Sequence, residues 1–329
     1  TSPTNLGFSI LSELCACELG IISQAEAERK LICKLNLLEN IEKYNGNFYN
    51  WYNIEDNTPA YPFYISSVDN GNMLACLIVV KQFIKKHSLY GIDIVSKLID
   101  EIDLDFLLDK DKNLFHIGYN VKTQSFDNYY DLMASEARIL YYLYAAFYQN
   151  ATPWNNLSRD CVGFGGNTLV SWSGTMFEYL LPNIFIRAPR NSLLYQTESN
   201  IVKLAIKNKC QNIWGISESG YYKFDENLRY QYYSFGLKEL AIRNSHNRCV
   251  ITPYASALAL RINAKEAVKN LQAIKKECGY GEYGFYEAID ITSRKHIIYQ
   301  YMSHHQGMIL ASITNAICGN NISEFFESE

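Results

Sequence analysis

The sequence predicts an all-helical fold of the (α/α)6 type, a toroid of six helical hairpins. Helical periodicity dominates, helices apolar on every face alternate with amphipathic ones, and the segments between them are long and aromatic-rich. A buried inner ring covered by an amphipathic outer ring produces that alternation. The loops entering the inner ring then meet at one mouth.

The elements follow in order. Thr4 opens a helix running to about Gly20, with Ser2 or Thr4 as N-cap and Gly20 as stop. Ser23 caps an amphipathic stretch to Tyr44, in which Leu31, Leu35, Leu38 and Ile41 recur at three and four. Its other face carries Glu26, Glu28, Lys30, Lys34, Glu39 and Glu42, so it is an outer helix. Residues 72–80 are apolar all round and predict a helix buried on every face; an outer helix follows over 92–108. Residues 129–148 and 174–184 are expected as inner helices and 193–209 as an outer one. Helices over 234–243, 254–262 (small and buried), 264–276 (outer) and 303–317 (inner) complete the count, with a short twelfth near Ser323. No strand is expected, because two-residue alternations are short and broken by Asn and Gly.

The entering loops are 44–68, 110–128, 149–171, 212–233 and 279–302, rich in Trp, Tyr and Gly rather than Ser, Glu and Lys. Ordered loops of that length are usually functional. No linker or charge run divides the 329 residues, so one domain is expected over 1–329. The chain begins without Met, and we read it as a fragment of a larger protein.

A hydrophobic content of 48% with mean hydropathy −0.16 fits a soluble protein with a large core. Net charge is −4 with no cluster of Lys and Arg, which argues against nucleic acid and anionic membrane as partners. The longest apolar stretch, 73–80, is too short to span a bilayer. Nine Cys lack CxxC pairs; Cys33, Cys76, Cys210 and Cys318 lie in helical apolar contexts and read as buried free thiols, which favours a reducing compartment. The 26 Tyr, 16 Phe and 4 Trp reach 14%, and Tyr in surplus suits half-wet clefts, though AT-rich coding bias is a competing explanation.

Carboxylates stand where entering loops become inner helices: Asp69, Asp131, Glu136, Glu178, Glu218 and Glu287. Each is flanked by aromatics or Gly, among them Tyr130, Trp172, Trp214 and Tyr286. Two carboxylates across a cleft are the minimal machinery of glycoside cleavage, and aromatic faces supply platforms for pyranose rings. The bland reading of any one of them is a helix N-terminal carboxylate complementing the macrodipole. Glu136 and Glu178 sit in apolar segments where an unpaired charge is costly, so each needs a role or a partner, with Arg138 and Arg187 as candidates. His304-His305-Gln306 reads as helix capping or sugar hydrogen bonding, since adjacent His diverge by about 100° on a helix and no third ligand has suitable spacing. The other four His are expected on the surface. No metal and no cofactor is expected, because no phosphate loop or ligand set is present.

Nine motifs then occur together in order. They are Thr1-Ser-Pro-Thr-Asn5, Asn50-Trp51-Tyr52, Ser67-Val-Asp69-Asn-Gly-Asn72, Tyr130-Asp131-Leu-Met-Ala-Ser-Glu136-Ala-Arg138, and 171–179. The remainder are 214–219, Pro253-Tyr-Ala-Ser-Ala-Leu258, 283–290 and Tyr301-Met-Ser-His-His-Gln-Gly-Met308. This set resembles the central, glucoamylase-like domain of cyclic β-1,2-glucan synthases and is similar to bacterial endo-β-1,2-glucanases. The resemblance covers essentially the whole chain. It implies an (α/α)6 barrel acting on linear β-1,2-glucan by retaining transglycosylation, within a large membrane protein whose catalytic parts are cytoplasmic and covalently joined. It further implies that Glu136 and Glu218 are the catalytic pair, with Glu218 as acid/base, Glu136 as nucleophile, and the swapped roles as the alternative. Trp51, Asp69, Asn72, Tyr130, Asp131, Trp172, Glu178, Trp214, Tyr286, Glu287, His304, His305 and Gln306 are expected to contact substrate. The chain departs from the family's usual pattern over 154–166 and after Phe235.

Two other readings stand beside this one. An inverting endo-β-1,2-glucanase uses the same carboxylates at ~6.5–9.5 Å rather than ~5–5.5 Å. A non-catalytic glucan-binding segment of a larger synthase is the reading from another class. The α/α toroid of terpene cyclases needs an Asp-rich ionising motif or a zinc triad, and neither is present.

Overall fold

The computed structural model describes residues 1–243 and 248–329. Its α-helices, in chain order, are α1 (Pro3–Glu18), α2 (Gln24–Asn40), α3 (Ser67–His87), α4 (Ile92–Glu101), α5 (Arg138–Phe147), α6 (Thr152–Asn156), α7 (Met176–Leu180), α8 (Leu193–Lys207), α9 (Pro253–Leu258), α10 (Leu260–Lys276), α11 (Ser303–Ile317) and α12 (Asn321–Glu327). The chain divides into two compact units. One comprises Thr1–Asp131, Ala137–Ser158 and Ile317–Glu329; the other comprises Leu132–Glu136 and Arg159–Ala316.

The first unit is built on α3, which is buried almost continuously from Ser67 to Ile84 and packs against α1, α4, α5 and α12. Gly7 permits the close approach of α1, because a Cβ there would lie 3.2 Å from Cys76 Sγ. Helix α2 buries one stripe, Ala27, Leu31, Leu35 and Leu38, as an outer helix should. The caps are those the sequence signals: Ser2 Oγ accepts from Asn5 N, and Ser23 Oγ from Glu26 N.

Strands correct the all-helical expectation. A four-stranded sheet in the first unit orders Asn50–Tyr52, Pro59–Ser66, Gly118–Asn120 and Ser125–Phe126, and a three-stranded one joins Leu108–Asp109, Leu114–His116 and Tyr129–Tyr130. Nearly all these strands are two or three residues long, too short for a period of two to register. Helix α2 stops at Asn40 rather than Tyr44 because Lys43–Tyr44 pairs with Asn47–Phe48. Helix α4 stops at Glu101, short of 108, since Leu108–Asp109 is a strand. The helix expected over 129–148 begins only at Arg138. Tyr129 and Tyr130 pair with His116 and Phe115, and Tyr141 Oη donates to the Tyr130 carbonyl at 2.5 Å.

The second unit holds α7–α11. Helix α7, its 3-10 extension Leu181–Ile184 and α9 are wholly buried, and α11 buries His305, Met308 and Ala311. Helix α10 is broken at Asn263 (φ −148°, ψ 78°), whose Oδ1 accepts from Glu266 N and caps the remainder. No helix forms over 234–243. There the backbone bonds sideways: Leu237 N donates to Gly174 O, Ile242 N to Ser171 O and Arg243 N to Trp172 O. Gly236 permits this approach, because a Cβ would meet Ser173 O at 1.9 Å.

A core of Ile213, Ile251, Ile274, Ile289 and Ile291 carries Cys210 and Cys249 at its side. These two cysteines form a disulfide, Cα atoms 6.1 Å apart, which corrects the free-thiol reading of Cys210. Cys33 is exposed and Cys318 half-buried; Cys76 alone of the four expected thiols is buried and free. With a disulfide present, cysteine usage no longer argues for a reducing compartment. Among the described residues no helix is long and apolar enough to cross a membrane. His87, His116 and His296 are half-buried rather than on the open surface, and His246 lies outside the described residues.

Candidate active site

The candidate site in the second unit starts at the N-terminus of α7. Thr175 caps it, and Thr175-Met-Phe-Glu178 is a capping box: Thr175 Oγ1 accepts from Glu178 N, while Glu178 Oε2 accepts from Thr175 N at 2.8 Å. Glu178 also accepts from Ser171 Oγ at 2.8 Å and Ser173 N at 3.0 Å. It is buried at 5% exposure, and burial raises its pKa against those hydrogen bonds. Glu178 therefore fixes the 171–175 turn, a partnering legible in the [ST]-x-x-[DE] spacing.

Glu218 lies against that turn. Thr175 Oγ1 is 3.2 Å from Glu218 Oε1 and 3.1 Å from Glu178 Oε2, and one hydroxyl hydrogen cannot serve both carboxylates. The Glu218 backbone is anchored by Tyr254, whose hydroxyl donates to Glu218 O at 2.9 Å and lies 2.8 Å from Ser217 Oγ, which can donate to it. Ser217 Oγ in turn accepts from Phe177 N at 3.1 Å. Burial pushes the Glu218 carboxyl well above the usual carboxylate range, and the charges of Glu136 and Glu178 push it further. Glu136 stands in the turn before α5, not inside the helix, with Ser135 Oγ donating to its Oε2 at 3.1 Å.

The aromatic rings next to Glu218 in sequence are not the ones that meet its side chain. Tyr222 stacks on His296 at 4.0 Å, Tyr221 lies beside Arg248, and Trp214 is buried with its backbone held by Asn270. Tyr232 and Tyr254 are the rings at Glu218. Sequence reasoning missed both, and Thr175 with them. Tyr232 arrives through a two-residue pairing, Ser219–Gly220 with Tyr232–Tyr233, which no sequence period announces. Its hydroxyl donates to Glu218 Oε2 at 3.3 Å and lies 3.5 Å from His305 Nε2.

Glu287 and His305 are both 1% exposed and face each other, with His305 Nδ1 2.9 Å from each Glu287 oxygen. Gly220 N donates to Glu287 Oε1 at 3.0 Å. The Tyr254 ring covers His305 at 4.1 Å. His304 is held well below the ordinary imidazole pKa by burial and then by His305. Gln306 Nε2 donates to Phe285 O at 2.9 Å. Trp172 is half-buried beneath the Arg243 guanidinium at 4.4 Å, and Tyr286 meets Tyr299 and Tyr301. Among the described residues no group of three or more His, Cys, Asp or Glu is arranged to hold a metal.

The remaining expected residues belong to the first unit. Asp69 accepts from Thr4 N at 3.3 Å and Asn50 Nδ2 at 2.8 Å, and Asn72 Nδ2 donates to Thr4 Oγ1 at 3.2 Å, so both tie α3 to neighbouring chain. Trp51 is 45% exposed, Tyr130 and Asp131 are half-buried, and the Asp131 carbonyl accepts from Ser158 N at 2.7 Å.

The chain is 25% identical over 470 aligned residues to the cyclic β-(1,2)-glucan synthase NdvB of Rhizobium meliloti (strain 1021), covering all of this chain and 17% of that protein. The chain thus spans about a sixth of that curated relative. Its fold resembles an endo-β-1,2-glucanase from Chitinophaga pinensis solved with sophorotriose and glucose (TM-score 0.73, 17% identity, 100% of this chain and 85% of that one). It also resembles an endo-β-1,2-glucanase from Talaromyces funiculosus solved with sophorose (TM-score 0.71, 13% identity, 100% and 76%). The Glycoamylase family model matches residues 128–328, a stretch that includes Glu136, Glu178, Glu218, Glu287 and His305. The chain belongs to this glucoamylase-like family of glycosidase-type enzymes.

Proposed function

We propose that this chain acts on β-1,2-linked glucan as a retaining transglycosylase, closing linear chains or redistributing their lengths. Glu218 is its acid/base and Glu136 its nucleophile. The observation that carries the reading is the half-buried Glu218 carboxyl, held 3.2 Å from Thr175 Oγ1 and 3.3 Å from the Tyr232 hydroxyl, with its pKa raised by desolvation and by the Glu136 and Glu178 charges. A group that protonates a glycosidic oxygen must keep its proton near neutral pH, and burial with a like charge provides that. Glu136 then attacks the anomeric carbon, and a glucan hydroxyl, deprotonated by Glu218, releases the glycosyl group. The glucan linkage is suggested by the names of the synthase and the two glucanases. In the second unit, half-buried Trp172 and Tyr286 are proposed ring faces for glucose units; in the first unit, exposed Trp51 is proposed as a glucan contact of its own.

An (α/α)6 barrel is the architecture that goes with this reading, supported by the alternation of buried and amphipathic helices. The chain is read as one domain joined to others in a longer synthase. A cytoplasmic location now rests on the resemblance alone, since the Cys210–Cys249 disulfide removes the argument from free thiols.

Similarity to two endo-β-1,2-glucanases favours a second reading, an inverting hydrolase in which water replaces the glucan acceptor. Mass spectrometry of linear β-1,2-glucan after incubation separates them. Rings or redistributed lengths are the expected products. Short reducing oligomers indicate the hydrolase, and unchanged chains overturn both.

A further inference from the structure

We infer that Tyr232, set by the buried Glu287–His305 pair, is a positioning residue that switches its one hydroxyl hydrogen between Glu218 and His305 as Glu218 loses and regains its proton. The inference rests on Glu218 being the acid/base of the proposed reaction.

Four side chains form one line. Glu287 holds His305 Nδ1 at 2.9 Å, His305 Nε2 faces the Tyr232 hydroxyl at 3.5 Å, and that hydroxyl faces Glu218 Oε2 at 3.3 Å. A carboxylate at Nδ1 keeps the hydrogen there, so a neutral His305 presents its Nε2 lone pair to Tyr232. The pair cannot drift. Gly220 N anchors Glu287, the Tyr254 ring lies over His305, and the Ser219–Gly220 pairing fixes Tyr232 opposite Gly220.

Tyr232 has one hydrogen and two acceptors, at distances longer than the ~2.7–2.8 Å usual for a hydroxyl donor. With Glu218 protonated, its O–H can donate to the Tyr232 oxygen while Tyr232 donates to His305. Once Glu218 has passed its proton to the leaving oxygen, the Tyr232 O–H turns and donates to the new carboxylate. No covalent bond of Tyr232 or His305 breaks; the one proton that leaves is the one Glu218 gives to the leaving oxygen, and Glu218 regains one from the acceptor hydroxyl. Both states of Glu218 are thereby hydrogen-bonded, which matters for a group that must alternate between them within one turnover.

The groups facing Glu218 are Glu136 from the turn before α5, Glu178 and Thr175 at α7, Tyr232 from its strand and Tyr254 from α9. His305, with His304 beside it on α11 and Glu287 behind it, is linked to the Glu218 carboxyl through Tyr232. Removing the Tyr232 hydroxyl takes a donor from ionised Glu218, so the carboxyl should hold its proton to higher pH.

The test needs no substrate. The infrared band of the protonated Glu218 carboxyl, assigned by its loss in Glu218→Gln, is followed with pH in wild type and Tyr232→Phe. In parallel, 15N-histidine NMR follows His305 Nε2. The band should persist to higher pH in Tyr232→Phe, and the Nε2 shift should track Glu218 titration in wild type but not in the variant. On glucan, Tyr232→Phe should lose about 10–100-fold in kcat with KM changed less than about 3-fold. An unchanged band midpoint, or an Nε2 shift blind to Glu218, overturns the inference. If the spectra behave as expected but wild type leaves glucan untouched, the proposed function fails and the switch stands.

Discussion

Thr175 and Glu218 meet at 3.2 Å across 43 residues of sequence, and the same threonine hydroxyl lies 3.1 Å from Glu178. A helix cap and a candidate proton donor therefore share one atom. Glu178 already accepts from Ser171 Oγ, Ser173 N and Thr175 N, so the Thr175 hydroxyl can donate to Glu218 Oε1 whether or not that carboxyl holds a proton. Thr175→Val removes the shared atom and the side-chain cap at once. The variant should lose about 1–3 kcal/mol of stability by urea unfolding, with an unchanged slope. A loss below about 0.3 kcal/mol means that the hydroxyl is not holding the turn.

Glu218 also couples stability to pH. Its folded pKa is raised, so between the unfolded value of ~4.3 and the folded one the native state binds more protons than the unfolded chain. Its contribution is fully present below the unfolded pKa and is lost as pH rises through the folded one. Glu218→Gln does not titrate, so its stability relative to wild type should grow as pH rises from ~4 towards neutrality. Urea midpoints of both proteins across that range check it. A difference that stays constant with pH means that burial does not raise the Glu218 pKa.

The disulfide closes the segment that carries both Glu218 and Tyr232. Cys210 and Cys249 are 39 residues apart, and a cross-link of that span removes loop entropy worth about 4 kcal/mol from the unfolded chain. Cys249→Ser, or wild type treated with a dithiol, should unfold at correspondingly lower denaturant. Equal midpoints with and without reductant contradict a formed bridge.

What could be read from the sequence followed helix length and capping. Ser2, Ser23 and residues 303–317 mark their helices because a cap or a long apolar period is local information. Residues 129–137 and 234–243 carry helix-like composition, yet their backbone partners lie far off in sequence: His116 and Phe115 for the first, Ser171, Trp172 and Gly174 for the second. Glu136 and Glu218 stood out among six carboxylates at expected loop-to-helix junctions, and the family resemblance singled them out as a pair. Tyr232, Tyr254 and Thr175 did not, because a Tyr or Thr is ordinary until folding brings it to a charge.

The most direct measurement of the central claim is turnover of linear β-1,2-glucan by Glu218→Gln beside wild type, with glucan binding measured on both. Gln keeps the size and the contacts of the side chain but cannot give up a proton. The account predicts a rate loss of about 10²–10⁴-fold with binding largely retained. Ordinary turnover by Glu218→Gln would contradict it.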